Sequence, residues 1–527
     1  MTSRIAIVLA CCAGLLALPA AAAADEAEPL FNPSAVAEID FTLPPASLQK
    51  LEEEPETDKY QHAGITVKVA GQTISLGDIG FRLKGSHGSF RDLDGKAAFK
   101  VKTDKFVDDQ ELLGLKKMTL NNMVQDPSMV HETMTYDLFR AMGLPAPRTG
   151  YAFVRVNGEP YGVYLDIETY DDVSLPRLFT STQHLYEADA AGVDVRPGEA
   201  DTFEVDEGDD EDLGDLEALI AAADDTVGDW SDGMDAVADL AEMTRMWAVE
   251  RYTGHWDSYS GPAAPFRPNN YYLHSLDDGV FAMLPWGTDQ TWDVDVEFGE
   301  PAGGLLFNDC LDDASCEALY EDGLEEVAAT IPGLGLDQTA ICTADMLEPW
   351  QEQEDPARAE YDAGEIAEGV ADARSFMSAR LGVLADYLGL APPTGVPDGT
   401  APCPHSEPDP DQPWVTHPVQ MPPATEQDDK TRFPRLGSIS RKGKRLQVNL
   451  FSPHPGTLAL SAKARGRRVC GSETAVGTGL ATVSCRLTRA AVKALAEGPL
   501  RLGVQVRFPG ADGTSISLSR HIRMARI

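Results

Sequence analysis

The charge of this chain reverses near residue 430, and this reversal constrains the organisation of the chain more than any other feature. The sequence carries 43 Lys and Arg against 85 Asp and Glu, a formal net charge of −42. Residues 431–527 are nevertheless basic, with 18 Lys and Arg against 3 Asp and Glu. A reversal of this size predicts a separate C-terminal module. The acidic remainder disfavours nucleic acid as a partner and suits cations and basic partners.

Residues 1–24 have the organisation of a cleaved secretory signal. Arg4 provides the positive start, residues 5–18 are apolar, and small residues lead to Ala24. The apolar run is too short for a transmembrane anchor, and the stretch before Cys11 is too short for a lipoprotein signal. We therefore expect a secreted, extracellular or cell-envelope protein without a transmembrane anchor.

Six cysteines remain after the signal, and an even number in an exported chain predicts disulfides. A zinc site is disfavoured because the mature chain has no CxxC pair and no nearby His pair. Six cysteines allow 15 connectivities. Proximity in the sequence favours the pairs Cys310–Cys316 and Cys470–Cys485. This leaves Cys342 to pair with Cys403.

Composition and periodicity divide the chain into five segments. They are a signal (1–24), an N-terminal linker (25–35), a main domain (36–392) with an acidic insertion at about 190–240, a Pro-rich acidic linker (393–431) and a basic domain (432–527). Strand and helix patterns mix in the main domain, which predicts an α+β fold. Short alternating strands in the basic domain predict a small all-β sandwich. Residues 201–240 contain 16 Asp and Glu and no Lys or Arg, so we expect a solvated insertion that is helical around 213–223. A calcium-binding loop is the less favoured alternative, because EF-hand spacing is absent.

Two local signals in the main domain are strong. Asp126-Pro127-Ser128 is typical of a helix start, and the helix should run to Met142 with Glu132 on one of two apolar faces. A helix with two apolar faces packs between two layers. The Asn157-Gly158 pair between two apolar runs predicts a β-hairpin over 151–167.

The residue types that phosphoryl transfer from ATP requires occur in the order found in protein kinases. These are a small-residue loop (Gly85, Ser86, Gly88, Ser89), a lysine strand (Lys100, Lys102), a helical glutamate (Glu132), Asp257, the pair Asn269-Asn270, and Asp289.

Through these residues the segment 81–298 resembles the spore-coat CotH kinase family, a secreted and atypical branch of the protein-kinase-like fold. The matching stretches are Arg82-Leu83-Lys84-Gly85-Ser86, Phe99-Lys100-Val101-Lys102, Leu120-Asn121-Asn122 with Asp126, the hairpin at 156–164, Asn269-Asn270-Tyr271-Tyr272-Leu273 and Pro285-Trp286-Gly287-Thr288-Asp289. The resemblance covers roughly residues 36–390. It implies a two-lobed, atypical protein-kinase-like domain that uses ATP and Mg²⁺, with Mn²⁺ as an alternative metal.

The resemblance also implies a role for each residue. The small-residue loop would cover the phosphates, and Lys100, or alternatively Lys102, would bind phosphate with Glu132 as its partner. The other roles are Asp257 as the base, Asn270 or Asn269 as a metal ligand, and Asp289 as the principal metal ligand. The chain departs from the family at Gly287, where the family often has Asp, and we expect Asp289 to be the ligand.

Three functions fit this pattern. The first is an enzyme, an ATP- and Mg²⁺-dependent kinase that phosphorylates Ser or Thr of exported coat or surface proteins. The second is a non-catalytic binding or structural protein of the cell surface or matrix. The third is a carboxylate-pair polysaccharide hydrolase with Trp256, Trp286 and Trp292 near the acids, which would leave the lysines without a role. We expect the first, with the basic domain available to an anionic surface polymer.

Overall fold

The computed structural model describes most of residues 25–524. Outside the description lie residues 1–24, 391–402, 404–434 and 525–527, and short stretches at 87, 189–191, 226–229, 263–267, 443, 453–454, 465–466, 477–478, 498–499 and 510–514. The predicted signal and nearly all of the predicted linker are therefore outside the described residues.

Seven strands near the N-terminus close into a barrel. They are β1 (Val36–Thr42), β2 (Gln61–Val69), β3 (Gln72–Lys84), β4 (Ala98–Lys102), β5 (Lys117–Asn121), β6 (Thr149–Val156) and β7 (Glu159–Ile167), in the order β1-β2-β3-β4-β5-β7-β6. Phe81, Leu83 and Phe99 lie in the barrel core. Because side chains alternate along a strand, the residues between and beyond them, including Lys84 and Lys100, face outwards. β6 and β7 form the predicted hairpin.

Two helices accompany the barrel, α1 (Pro45–Glu53) and α2 (His131–Ala141). Residues on every side of α2 are buried, as its two apolar faces predict. The predicted start at Asp126 is wrong, because the helix begins only at His131. The Asp126 carboxylate instead accepts the backbone N–H groups of Ser128 and His131, each at 2.8 Å, which holds residues 126–130 in a turn.

The rest of the main domain combines one small sheet with helices. The strands are β8 (His184–Glu187), β9 (Glu204–Glu207), β10 (Tyr271–Ser275) and β11 (Phe281–Pro285), in the order β11-β10-β8-β9. The helices are α3 (Leu175–Leu178), α4 (Gly214–Asp224), α5 (Trp230–Met234), α6 (Leu240–Thr253), α7 (Leu305–Asp312), α8 (Ala314–Leu334), α9 (Leu336–Gln351) and α10 (Ala363–Leu388), with 3₁₀ turns at Glu28–Phe31 and Ala200–Thr202. A single apolar core that includes Trp247 and Trp292 joins α2, α6 and α8.

The basic segment contains two sheets and a helix. One sheet has the order β12-β13-β16 and the other β15-β14-β17-β18, with β12 (Arg435–Lys442), β13 (Arg445–Ser452), β14 (Gly456–Ala464), β15 (Arg467–Val476), β16 (Gly479–Arg486), β17 (Leu500–Pro509) and β18 (Ser515–Met524). Helix α11 (Arg489–Glu497) buries Ala491 and Leu495 in the core between them. The prediction of an all-β domain therefore omitted one helix, whose apolar positions complete this core.

All three predicted disulfides are formed. They join Cys310 to Cys316, Cys342 to Cys403 and Cys470 to Cys485. Within the described part of the chain, no helix is both long enough and apolar enough to cross a bilayer.

The buried carboxyl group of Glu242 on α6 makes stability depend on pH. Its Oε2 accepts the N–H of Met283 at 3.0 Å, whereas its Oε1 has no hydrogen-bond partner among the described residues. Burial raises the pKa of Glu242 from 4.5 to about 8. The folded state therefore keeps a proton that the unfolded state loses, so this group lowers the free energy of unfolding as pH rises from 4.5 to 8.

We expect Glu242→Gln to stabilise the chain at pH 8 by up to about 4 kcal/mol and to change little at pH 4.5. Chemical denaturation at both pH values measures the difference. Glu217→Gln, at an exposed position on α4, is the matched control and should change neither. Equal stabilisation at both pH values would attribute the effect to packing instead of ionisation.

Candidate phosphate and metal site

Lys84 is the lysine that faces the buried acids. It is half-buried at the end of β3, directly before the small-residue loop. Burial lowers the pKa of its ammonium, and the negative charges of Glu132 and Asp289 oppose this shift. The Lys84 ammonium interacts with both carboxyl groups. It therefore links the barrel to α2 and to the segment after β11.

Glu132 lies on α2 and is only 2 % exposed. Its Oε2 accepts the side-chain N–H of Asn121 at the end of β5, and its Oε1 has no hydrogen-bond partner among the described residues. Burial, and next the charge of Asp289, raise the pKa of Glu132 to about 8. Glu132 is therefore a weaker acid than a carboxyl group in water, and a cation beside it favours its charged form.

The two predicted lysines take other positions. Lys100 lies opposite Arg82 on β3, and its charge acts on Lys84 and on Asp206 of β9. Lys102 lies 3.9 Å from Asp104. The lysine whose charge acts on Glu132 is thus Lys84, one strand away from the expected Lys100.

The acidic insertion reaches this cationic face of the barrel. The Oε1 of Glu207 on β9 lies 3.3 Å from the Nζ of Lys117 on β5. Burial raises the pKa of the neighbouring Asp206, while Lys117 and Lys100 lower it. The insertion forms the predicted helix as α4, but its β9 end is an ion-paired part of the fold and is not simply solvated.

Asp257 is held by the two asparagines that the sequence analysis singled out. Its Oδ2 accepts hydrogen bonds from the amides of Asn269 at 3.2 Å and Asn270 at 3.0 Å, and its backbone oxygen accepts a third from Asn270 at 2.8 Å. Burial raises the pKa of Asp257, and the two amides lower it. The carboxylate is consequently fixed in orientation but more basic than in water, which suits a proton acceptor.

Asp289 follows β11 and lies within electrostatic reach of the other acids. Burial raises its pKa to about 6; Lys84 lowers it, whereas Asp126 and Asp257 raise it. The ring Nδ1 of His131, at the start of α2, lies 2.9 Å from the backbone oxygen of Asp289. The segment after β11 is therefore attached to α2 and brings Asp289 close to Glu132 and Lys84.

His255 is a buried histidine two residues before Asp257. Its ring is 1 % exposed, and burial lowers its pKa to about 4, opposed by the backbone of Trp286 and Gln290. A buried histidine two residues before the base also begins the catalytic loop of protein kinases. Trp292, considered above for a sugar site, is fully buried and donates its indole N–H to Thr135 at 2.8 Å.

Gly287 lies against Asn270. Its φ is +53°, and a Cβ built on it would lie 2.6 Å from the Oδ1 of Asn270. A side chain at 287 therefore requires Asn270 to move. At position 287, where the family often has Asp, the backbone of this chain lies too close to the Asn270 amide to leave room for a side chain.

We expect Gly287→Ala to lower the free energy of unfolding by about 2 kcal/mol, from backbone strain and from overlap with Asn270. Denaturation of a double-mutant cycle with Asn270→Ala measures the coupling. The same Gly287→Ala change should cost about 1 kcal/mol in the Asn270→Ala background, where strain alone remains. Equal costs in both backgrounds would contradict the contact with Asn270.

The small-residue loop forms a compact turn directly after Lys84. Gly85 has a φ of +125°, and a Cβ there would lie 2.8 Å from the Cα of Phe90. The backbone N–H of Ser86 donates to the Oγ of Ser89 at 3.1 Å, and the N–H of Phe90 donates to the oxygen of Ser86 at 3.0 Å. The loop is thus folded on itself beside the ammonium of Lys84.

The donor set suits a cation that is bound together with phosphate. In the described part of the chain, no three His, Cys, Asp or Glu side chains converge to hold a metal ion alone. Mg²⁺ usually takes one or two carboxylates and completes its shell with substrate phosphates and water. Asp289, whose charge is incompletely compensated, and the oxygen of Asn270 are donors of the right type.

The sequence placed Lys84 and Asn121 in stretches that resemble the family but assigned neither of them a role. Alternation along β3 does put Lys84 on the outward face, and Gly85 follows it at once. That position before the loop is the signal that could have singled it out.

Residues 81–331 match the sequence model of a family described as CotH kinase protein. The inner spore coat protein H of Bacillus subtilis (strain 168) is 26% identical over 232 residues, which cover 42% of this chain and 60% of that protein. An inner spore coat protein H-like protein of the same organism is 35% identical over 80 residues, 15% of this chain and 24% of that protein. The chain thus spans less than two thirds of either relative.

Proposed function

We propose that the protein is an exported, ATP- and Mg²⁺-dependent kinase, because residues 81–331 match the CotH kinase family and the inner spore coat protein H is similar to this chain. Its substrates would be Ser or Thr residues of coat or surface proteins. The observation that carries the proposal is the grouping of Lys84, Glu132, Asp257 and Asp289, since a lysine, its glutamate, a base and a metal ligand are the parts that phosphoryl transfer needs.

In this proposal the barrel and the helical half act as the two lobes of the kinase. Lys84 binds phosphate oxygens, and the backbone of the loop at Gly85, Ser86, Gly88 and Ser89 covers them. Lys100, on the next strand, adds to the positive potential. Glu132 keeps Lys84 in place as its buried partner.

Asp257 is the base. It accepts the proton of the substrate hydroxyl as the hydroxyl oxygen forms a bond to the γ-phosphorus. The bond from that phosphorus to the β–γ bridging oxygen breaks, and ADP leaves with the electron pair. Mg²⁺, or Mn²⁺ in its place, neutralises charge on the phosphates when bound by Asp289 and Asn270. The amides of Asn269 and Asn270 orient the Asp257 carboxylate during the transfer.

The signal predicted from the sequence, the disulfides and the basic C-terminal domain support a place at the cell surface or in a coat. Disulfides persist in oxidising compartments. The basic domain would bind an anionic surface polymer and so hold the acidic catalytic domain near its substrates.

A titration followed by a transfer assay tests the proposal. The full chain, prepared with its disulfides, is titrated calorimetrically with ATP in the presence of Mg²⁺ or EDTA. It is then incubated with γ-labelled ATP and casein as a generic Ser/Thr substrate. We expect binding that requires the metal, and label on casein or on the chain itself. Loss of metal dependence, or no binding, would contradict the kinase proposal.

One observation favours a second candidate, a non-catalytic member of the family. Gly287 replaces an acid that the family often has, and no carboxylate contacts Asn270 from that position. Binding of Mg²⁺ and ATP without any label transfer would support this candidate over the first.

A further inference from the structure

The connection between α9 and α10 lies outside the family-matched segment and yet contacts the barrel. This connection, residues 352–362, places side chains on four sites around the small-residue loop. Glu354 contacts Lys96, Arg358 stacks over the ring of Tyr161 at 4.4 Å, Glu360 pairs with Arg91, and the hydroxyl of Tyr361 donates to the oxygen of Val124 at 2.6 Å.

Glu354 anchors the connection in the protein interior. Its side chain is 5% exposed and that of Lys96 1% exposed, with 3.1 Å between the Nζ and the Oε1. The same Oε1 accepts the backbone N–H of Val163 at 2.7 Å. Gly162 makes room for this carboxylate, because a Cβ on it would lie 2.4 Å from the Cδ of Glu354. The barrel is therefore shaped to receive this side chain.

Glu360 acts on the loop through Arg91. The Nε and Nη2 of Arg91 donate to the two carboxylate oxygens of Glu360 at 3.2 and 2.5 Å. The Nη1 of Arg91 donates to the backbone oxygens of Gly88 and Phe90, both at 2.9 Å. A bidentate pair fixes the plane of the guanidinium and with it the position of the two loop carbonyls.

On the barrel side, Asn122 holds the loop independently of Arg91 and Glu360. The amide of Asn122 donates to the oxygens of Ser89 at 3.0 Å and of Lys96 at 2.7 Å. Gly88 has a φ of +85°, and a Cβ on it would lie 2.7 Å from the amide nitrogen of Gln125. The loop is thus held by Asn122 on one side and by Arg91 with Glu360 on the other.

We infer that Glu360 is a positioning residue for the phosphate-covering loop and acts through Arg91 from the α9–α10 connection. The inference rests on the proposed function for its effect on ATP. The Arg91–Glu360 side chains are 30% and 29% exposed, so their pair adds little to global stability. Its consequence is local, because it sets where the loop carbonyls, and hence the loop amides, lie.

Two measurements on the full chain test this inference. Hydrogen–deuterium exchange without nucleotide reports the loop, where the N–H of Phe90 bonds to the oxygen of Ser86. We expect Glu360→Gln to speed exchange at 85–90 several-fold, with the melting temperature unchanged. Calorimetry should show a Kd for Mg·ATP raised about tenfold, equivalent to about 1.4 kcal/mol.

A double-mutant cycle identifies the route of the effect. Because Glu360 acts through Arg91, the variant with both Arg91→Gln and Glu360→Gln should bind Mg·ATP no more weakly than Arg91→Gln alone. Glu352→Gln, exposed on the same connection, is the matched control and should change neither measurement. Additive effects, or unchanged loop exchange in Glu360→Gln, would overturn the inference. A parent chain that does not bind Mg·ATP would instead contradict the proposed function and leave the exchange test to decide the role of Glu360.

Discussion

Replacing Lys84 by Met is expected to reduce phosphoryl transfer at least about 100-fold, the size of effect produced by removing one preorganised charge-stabilising donor. Lys84 interacts with the two buried acids Glu132 and Asp289. Its loss removes a cation from the phosphates and leaves the charge of Asp289 less compensated. Calorimetry with Mg·ATP and the transfer assay measure the two consequences separately.

Lys100→Met is the matched control for this prediction. Lys100 lies on the adjacent strand and also faces outwards, but its charge acts on Lys84 and Asp206 and not directly on Glu132. We expect phosphoryl transfer to fall less than about fivefold, because Lys100 adds only to the general positive potential. If Lys100→Met abolished transfer while Lys84→Met retained it, Lys100 would be the phosphate-binding lysine, as the sequence predicts. Unchanged far-ultraviolet circular dichroism would show that each variant is folded.

Asp289→Asn is expected to abolish metal-dependent ATP binding, whereas Asp257→Asn is expected to retain binding and lose turnover about 1,000-fold. A ligand is needed before the reaction begins, while a base acts mainly in the transition state. Titrations of both variants with ATP, with and without Mg²⁺, separate the two roles. Equal loss of binding in both variants would mean that Asp257 is also a ligand.

The pH dependence of metal binding gives a second check on Asp289. Burial raises the pKa of Asp289 to about 6, so protons compete with the metal below that pH. We therefore expect the affinity for Mg·ATP to fall as pH decreases from 7 to 5. The Asp289→Asn variant has no such proton to lose, so any weak binding that remains should lack this component.

Local chemistry made part of this fold predictable from the sequence. The Asn157-Gly158 turn predicted its hairpin within a few residues. The predicted signal and the separations between cysteines predicted the three disulfides. The start of α2 was misplaced because Asp126 resembles a helix cap in sequence. In the structure its carboxylate instead holds a turn that ends at His131.

The lysine of the site was harder to predict for a geometric reason. Alternation reveals which residues face outwards, and it places Lys84 and Lys100 on the same face. It does not reveal how far along the strand the neighbouring helix lies. The position of the helix along the strands depends on how the strands pair. In the structure Lys84 pairs with Ala98 at the end of the β3–β4 ladder. Register and the packing of α2 are long-range properties, so only the fold distinguishes the two lysines.

The disulfide between Cys342 and Cys403 shortens the tether between the two oppositely charged parts of the chain. With Cys403 fastened to α9, residues 404–434 separate it from the first strand of the basic domain and can span at most about 110 Å. With the bond reduced, the covalent link consists of residues 391–434, whose fully extended length is about 150 Å. The oxidation state of a single bond thus sets the length of chain between the basic domain and its nearest covalent attachment to the acidic domain.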